Sequence, residues 1–335
     1  MSKIRINNLT NKTGDSGPTI AGVSTVSTSA FMVMPNGNTA IRGAGSGRML
    51  LMGGFGNSPN NAYQSQIQRL TIATTGNSID FGDMSVVRYV PGTCASSTRG
   101  IAAGGEPAIA TIDYITISSS GGGNDFGDLR QNTLYPAGLS DSTRGVFAGG
   151  YDGSNNIDTI DFITIATTGS SSIFGNLTEI KKNCGACASP TRGIVFGGHN
   201  PSTLNTIEFI TIATGGDGTD FGNLLNGSRQ GAGLSNTTRG LHAGGSGALN
   251  TIAYITIATT GDAIDFGDLT AGAGWIGSGA SSIRGIFAGG YASGGLNKID
   301  YVTISTTGNA TDFGDLVGPA VYGASGLSDV HGGLG

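Results

Sequence analysis

Residues 279–290 read GASSIRGIFAGG, and residues 297–316 read NKIDYVTISTTGNATDFGDL. Together they make one unit of a repeat: short apolar segments end in Gly-Gly, a loop comes next, and an alternating segment leads to Phe-Gly. The two landmarks recur six times each, at Gly53, Gly104, Gly149, Gly197, Gly244 and Gly289, and at Phe81, Phe126, Phe174, Phe221, Phe266 and Phe313. Both series advance by 45 to 51 residues. Such self-similarity predicts six copies of one supersecondary unit.

Each copy is predicted to hold four short strands. In the sixth copy these lie near residues 277–282, 285–288, 299–305 and 311–316, the last extending into the residues after Leu316. The third strand alternates apolar and hydroxyl side chains, as in the ITI of residues 163–165, which is the pattern of a pleated sheet. The chain has 61 glycines and only 12% charged residues. Glycine-rich turns between β-branched segments predict an all-β fold.

The order of these elements resembles the kelch family, in which a strand ending in Gly-Gly precedes a strand with an aromatic residue and a further aromatic after a turn. The resemblance covers residues 47–335 and implies a six-bladed, kelch-like β-propeller with four strands in each blade. The sequence departs from the kelch pattern because Phe replaces Trp in every copy and Arg69 occupies the Tyr position of the first.

The C-terminus is predicted to close the ring. Residues 322–330 read YGASGLSDV, which matches the first-strand segment of other copies, whereas the residues before Arg48 lack that segment. We therefore expect the C-terminal strand to join the Arg48 to Gly54 strand, which removes two exposed edges.

Residues 1–46 lie outside the repeat and form an N-terminal arm with too little apolar content to fold alone. Their sequence resembles the N-terminal segments of virion structural proteins from tailed phages, particularly marine cyanophages. The resemblance implies that the arm docks on other virion proteins while residues 47–335 are displayed. A disordered tail, or an extra strand on the propeller, is the alternative.

Composition excludes several classes of protein. The net charge is -5 and Lys and Arg are not clustered, so no nucleic-acid partner is expected. No apolar run approaches the length of a membrane span, and no secretory signal begins the chain. An odd number of cysteines, three, indicates folding in a reducing cytoplasm.

Repeated polar residues are interpreted as structural. The Arg of each Arg-Gly is expected to pair with the Asp that precedes Phe-Gly, although a ring-shaped anion site is an alternative. The arginines are Arg99, Arg144, Arg192, Arg239 and Arg284, with Arg48 and His331 at related positions. The acidic residues are Asp80, Asp125, Asp220, Asp265 and Asp312, and the third copy has Ile173 in place of the Asp. Cys184 and Cys187 form a C-x-x-C without a second pair, and Cys187 matches Cys94 in repeat position, so packing is favoured over metal binding. No catalytic, cofactor or metal site is predicted.

Binding is expected on the face formed by the loops that vary between copies, the second-to-third and fourth-to-first connections. The candidate ligand-binding residues are Tyr89, Tyr135, Tyr151, His199, Arg229, Trp275, Tyr291 and Tyr322. Aromatic rings on polar loops suit glycans or protein partners. The sequence thus predicts a non-enzymatic phage virion protein, a tail or fibre component assembled in the host cytoplasm, that binds a host-surface glycan or protein and is compatible with a homotrimer. The alternative is a cellular kelch-like scaffold or lectin.

Overall fold

A computed structural model of the chain describes residues 47–56, 61–318 and 320–334. The predicted N-terminal arm, residues 1–46, lies outside the described residues. The described segments form short strands, with one 3₁₀ turn after them at Gly332–Leu334. In chain order the strands are β1 (Arg48–Met52), β2 (Phe55–Gly56), β3 (Ala62–Tyr63), β4 (Gln66–Thr71), β5 (Ile79–Asp83), β6 (Gly92–Ala95), β7 (Arg99–Ala103), β8 (Thr111–Thr116), β9 (Asn124–Asp128), β10 (Ala137–Ser140), β11 (Arg144–Tyr151), β12 (Asn156–Thr164), β13 (Ser172–Asn176), β14 (Gly185–Ala188), β15 (Arg192–Phe196), β16 (Thr206–Thr211), β17 (Thr219–Asn223), β18 (Ala232–Ser235), β19 (Arg239–Ala243), β20 (Thr251–Thr256), β21 (Ile264–Asp268), β22 (Gly277–Ala280), β23 (Arg284–Ala288), β24 (Lys298–Thr303), β25 (Thr311–Asp315), β26 (Val321–Tyr322) and β27 (Ser325–Ser328).

These strands build small antiparallel sheets in a propeller-like arrangement. Within the described residues, six sheets have four strands and one has three. Five of the four-stranded sheets use strands consecutive in the chain, such as β22-β23-β24-β25, whose bounds match the four strands expected for the sixth copy. The all-β prediction is therefore confirmed, and the second to sixth copies each supply one hairpin-connected sheet.

The remaining four-stranded sheet joins the two ends of the repeat region. Its order is β27-β1-β4-β5, and β27 pairs antiparallel with β1 from Met49 opposite Ser328 to Met52 opposite Ser325. The C-terminal strand is therefore the partner of the Arg48 strand, as the sequence indicates. The three-stranded sheet β26-β2-β3 lies beyond the Gly53-Gly54 pair.

The apolar core lies between neighbouring sheets. Each of these buried clusters combines residues of two sheets, and in five clusters the two sheets are adjacent in chain order. Leu50 of β1, for example, packs in one cluster with Ala102 of β7 and Ile115 of β8. One cluster joins the first and last copies, with Met49 of β1 and Ile286 of β23. Burying both faces of each sheet explains why the strands are rich in Ile and Ala.

The Gly-Gly pair marks a point where the backbone turns close to another segment. Gly104 has φ +60°, and a Cβ placed there would lie 2.4 Å from the carbonyl oxygen of Thr133. Only glycine combines this left-handed conformation with such a close approach.

Phe-Gly marks a joint between successive sheets. In the fifth copy the backbone N–H groups of Gly308 and Ala310, which belong to the next copy, donate to the carbonyls of Phe266 and Asp268. A Cβ on Gly267 would lie 2.5 Å from the carbonyl oxygen of Gly308. The outer strand is thereby paired at its edge by its neighbour, which limits edge-to-edge association.

The expected pairing of the repeated Arg with the Asp beside Phe-Gly is wrong. Those Asp residues lie on the exposed side of the outer strands, whereas each Arg donates to backbone carbonyls at the end of the next sheet's third strand. Arg192 donates to the carbonyls of Ile257 and Ala258, at 3.0 Å each, and its guanidinium lies 4.5 Å from the centre of the Phe209 ring. The arginines are therefore structural, but they connect neighbouring sheets through hydrogen bonds to backbone carbonyls and do not form ion pairs with these Asp residues.

Carboxylates do pair elsewhere, on the third strands. Arg88 and Asp113 form a fully buried ion pair at 3.1 Å, and Lys181 contacts Glu208 at 2.5 Å. No helix within the described segments is long and apolar enough to cross a membrane.

Candidate functional site

The site begins with six residues that share one backbone conformation. Each lies in the connection from an outer strand to the next inner strand and has a positive φ, between 50° and 66°. We call this set the mouth ring, and its members are Val90, Tyr135, Asn183, Gln230, Trp275 and Gly323. Left-handed backbone is uncommon for bulky residues, so six occurrences at equivalent positions indicate a geometry imposed by the surrounding structure.

Backbone hydrogen bonds connect members of the mouth ring. The N–H of Gln230 donates to the carbonyl of Asn183 at 2.9 Å, that of Trp275 to Gln230 at 2.7 Å, that of Gly323 to Trp275 at 2.9 Å, and that of Val90 to Gly323 at 2.8 Å. The last bond joins the two ends of the repeat region. These four bonds provide a reason for the left-handed conformation, because it directs the N–H groups of Val90, Gln230, Trp275 and Gly323 along the ring.

The mouth ring surrounds one end of a central cavity of about 100 Å³. We call this end of the cavity the mouth. The cavity is lined by all six residues of the mouth ring and by residues of the first strand of each four-stranded sheet. These inner strands are β6, β10, β14, β18, β22 and β27. A second cavity of about 60 Å³ adjoins the first through shared lining residues such as Thr93 and Gly138, and reaches His331.

The C-terminal residues occupy that far end. His331 Nε2 lies 2.8 Å from the carbonyl oxygen of Ala95 and 3.2 Å from Oγ of Ser140, and the turn Gly332–Leu334 is buried against β10, β14 and β18. A Cβ on Gly333 would lie 1.9 Å from the Ser140 carbonyl oxygen. Because the C-terminal residues fill the far end, a ligand would contact the side chains that vary between copies only at the end marked by the mouth ring.

Seven aromatic side chains meet at one side of the mouth ring. We call them the aromatic cluster, which consists of Phe55, Tyr63, Tyr89, Tyr135, Trp275, Tyr291 and Tyr322. Tyr89 is its centre: its ring centroid lies 5.2 Å from Trp275, 5.7 Å from Tyr322 and 6.0 Å from Tyr63. These rings present flat apolar area with polar edges.

The position of Tyr89 depends on the absence of a side chain at Gly323. A Cβ on Gly323 would lie 2.0 Å from the Tyr89 ring. Tyr89 is 8% exposed, and burial raises the pKa of its phenol. Gly323 is thus the member of the mouth ring that makes room for the aromatic cluster.

The carboxylate of Glu106 contacts two tyrosines of the aromatic cluster. Glu106 accepts a hydrogen bond from the hydroxyl of Tyr63 at 2.7 Å through Oε1 and another from the hydroxyl of Tyr135 through Oε2. The hydrogen bond to Glu106, with some burial, raises the pKa of Tyr63 to about 12, and burial and the same carboxylate raise the pKa of Tyr135. Both phenols therefore remain neutral donors, and their orientation is determined by the carboxylate.

Basic side chains lie on the other side of the mouth. We call Lys182, His199 and Arg229 the basic cluster. Lys182 Nζ lies 4.0 Å from the centre of the Tyr151 ring. Burial, together with the charges of Arg229 and Lys182, lowers the pKa of His199, which favours the neutral imidazole.

The candidate residues chosen from sequence therefore fall into two groups. The structure brings Tyr89, Tyr135, Trp275, Tyr291 and Tyr322 into the aromatic cluster, and places Tyr151, His199 and Arg229 in or beside the basic cluster. The sequence selection omitted Phe55, Glu106, Asn183 and Gln230. A signal for the last two was present, because Asn183 and Gln230, like Tyr135 and Trp275, lie 14 residues before the next Gly-Gly.

The cysteines occupy packing positions. Cys94 on β6 and Cys187 on β14 are buried at equivalent places in the repeat, and burial raises the pKa of the Cys187 thiol to about 12. Among the residues that the structure describes, no group of His, Cys, Asp and Glu has the arrangement of a metal site.

The chain matches no protein-family model and no curated protein.

Proposed function

We propose that this chain is a non-enzymatic structural protein of a phage virion, a tail or fibre component, in which a closed six-bladed kelch-like propeller displays the mouth for contact with the host surface. The observation that carries the proposal is the gathering of seven aromatic rings at the mouth. Aromatic rings that are partly exposed beside a cavity suit recognition of a sugar or a protein.

Two repeated joints and one strand pairing support the closed ring of six blades. Every repeated Arg reaches the next sheet, including Arg284, which donates to the carbonyls of Ile72 and Ala73 in the first copy. The Phe-Gly joint also returns to the first copy, where Gly76 N–H donates to the carbonyl of Phe313. The β27–β1 pairing supplies the third joint.

The N-terminal sequence supports the virion assignment. Residues 1–46 resemble virion arms, and a docking arm before a binding propeller is the organisation of a displayed attachment protein. In this proposal the arm binds other virion proteins, and a trimeric fibre is the assembly we expect.

Mass spectrometry of purified virions from a phage stock that encodes the chain tests the location. We expect the chain among the particle proteins, and its loss from particles when residues 1–40 are removed. A chain absent from particles but abundant in infected cells would favour the alternative, a cellular kelch-like scaffold or lectin, which the aromatic mouth also suits.

A binding assay on whole host cells tests the mouth. Trp275→Asn removes the indole but keeps a residue that tolerates the left-handed backbone, as Asn183 does at the equivalent position. We expect at least about tenfold weaker adsorption. Ile283→Ala is the matched control, because Ile283 is 64% exposed and lies in the turn before Arg284, away from the mouth ring; equal losses in both variants would contradict a role for the mouth.

A further inference from the structure

Aromatic and basic side chains occupy different parts of the rim, by which we mean the six residues that each precede a member of the mouth ring. These residues are Tyr89, Leu134, Lys182, Arg229, Gly274 and Tyr322. Equivalent positions therefore carry aromatic rings in one part of the rim and two adjacent cations in another. A ligand that spans the mouth meets flat apolar area at one end and positive charge at the other.

Polar atoms on the basic side lack partners. Asn183 is 8% exposed and lines the central cavity, and its Oδ1 has no hydrogen-bond partner. His199 Nδ1 and Arg229 Nε are likewise buried without one. Buried polar atoms are usually paired, so three unpaired atoms around one part of the rim indicate a place that a polar ligand would complete.

Among the residues that the structure describes, the cations on this side form no ion pair with a carboxylate. Within the described segments, neither Lys182 nor Arg229 takes part in a salt bridge, and the nearby Glu208 is held by Lys181 at 2.5 Å. The protein as a whole is acidic, with a net charge of -5. Two uncompensated cations beside a cavity therefore favour a negatively charged ligand group.

Glu106 limits how that charge can be distributed. It lies among Tyr63 and Tyr135 on the aromatic side, where it would repel a second negative group. The ligand should therefore carry its charge at one end and a neutral, partly apolar ring at the other. A pyranose with one carboxylate has this form, whereas a phosphate-rich chain does not.

We propose that the mouth binds the acidic sugar residues of a surface polysaccharide, a conclusion that rests on the proposed host-binding function. The sugar carboxylate pairs with Lys182 and Arg229, the amides of Asn183 and Gln230 bind ring hydroxyls, and the C–H face of the pyranose stacks on Trp275. Stacking supplies area and the amides supply orientation, while the two cations select for the acid.

Matched oligosaccharides test the selection. Calorimetric titration of the full chain uses a β-1,4-oligomannuronate hexasaccharide and β-1,4-mannohexaose, which differ only in whether C5 of each sugar bears a carboxylate or a hydroxymethyl group. Oligogalacturonate serves as a second acid with different stereochemistry. We expect an acidic sugar to bind about tenfold more tightly than its neutral counterpart.

Single charge removals locate the contact. Arg229→Gln and Lys182→Gln should each reduce the preference for the acid by about threefold to tenfold without lowering the melting temperature. Arg69→Gln, which removes the same charge on β4, should leave the preference unchanged and is the matched control.

The outcomes separate this inference from the proposed function. Equal affinity for acidic and neutral hexasaccharides, lost together in Trp275→Asn, would overturn the acidic preference and leave a glycan-binding mouth. A hexaglutamate peptide that binds as tightly as the acidic sugars, with the same dependence on Arg229, would overturn the sugar assignment. Binding of neither acidic oligosaccharide at about 1 mM would also overturn it, while adsorption to host cells that depends on Trp275 would preserve the host-binding role.

Discussion

Two sets of six repeat-equivalent residues behave in opposite ways. The repeated arginines are identical in all copies, and each binds a backbone carbonyl of the next sheet, as Arg48 binds Ile117 and Arg239 binds Ile304. The mouth ring keeps one backbone conformation in all copies but has six different side chains. One set repeats its chemistry, and the other repeats only its geometry.

The difference arises from what each side chain contacts. A backbone carbonyl at the end of a third strand is the same acceptor in every copy, so the same donor suits every joint. A side chain of the mouth ring faces a cavity instead of a repeated neighbour, so the fold does not dictate its identity. Repeated residues are therefore expected to control stability, and varied residues of the mouth to control binding.

The largest loss of stability is expected when the joint between the first and last copies is removed. Removing residues 320–335 deletes β27, which pairs with β1 and buries Leu327. We expect a loss comparable to the stability of a whole domain, about 5 to 15 kcal/mol. Size-exclusion chromatography and circular dichroism should then find no folded monomer; an unchanged melting temperature would sink the closed-ring model.

His242 is a varied position that is not a member of the mouth ring, and it tests whether variation outside that ring affects stability alone. It is 4% exposed, its Nε2 has no partner, and burial lowers its pKa to about 4. A lowered folded-state pKa means that the stability of the neutral form is complete above the unfolded value near 6.5 and is lost as pH falls towards 4. The full loss corresponds to about 3 kcal/mol.

His242→Phe should remove that acid sensitivity, because Phe147 and Phe287 occupy the equivalent position in other copies. Urea unfolding at pH 8 and pH 4.5 measures it. We expect a gain in the variant that is larger at the lower pH, with ligand binding unchanged; a gain of equal size at both pH values would argue against His242 as the titrating group.

A direct comparison uses one variant of a repeated arginine and one of Lys182, the varied residue that precedes Asn183 of the mouth ring. Arg192→Met loses two hydrogen bonds to carbonyls and the contact with Phe209, so we expect about 2 kcal/mol of destabilisation. Lys182→Met loses only the contact with Tyr151 and should change stability by about 0.5 kcal/mol or less. Similar values in denaturant unfolding would remove the distinction between the sets.

A smaller effect than the loss of a repeated arginine is expected from the backbone of the mouth ring. Val90 is β-branched and has φ +50°, a conformation that is costly for its side chain, whereas the equivalent Gly323 bears no such cost. Val90→Gly should therefore raise the free energy of unfolding by about 1 kcal/mol, after the entropy cost of glycine in the unfolded chain. A decrease in stability would mean that Val90 packs more than its geometry suggests.

Much of the fold could be predicted because its signals are local and repeated. The strand bounds of the sixth copy, the all-β class and the pairing of the C-terminal strand with β1 can be read from periodic side chains and a displaced repeat segment. The partner of each Arg could not be predicted, because the acceptor is a backbone carbonyl of another copy, which leaves no trace in side-chain identity.

The candidate site was predicted in part. Aromatic residues in variable loops were recognisable as candidates, and five of them meet in the aromatic cluster. Asn183 and Gln230 are ordinary polar residues in sequence, and only their equivalence to Tyr135 and Trp275 at the mouth gives them significance. Glu106 is known as a partner of two phenols only from their contacts.

The sequence by itself determined the period, the strands and the places where glycine is required, because these depend on backbone preferences and on neighbours close along the chain. Only the tertiary structure decided which residues share the mouth and what each Arg binds. Those contacts join residues from separate copies, whose distances depend on how the sheets pack around the central cavity rather than on their spacing along the chain.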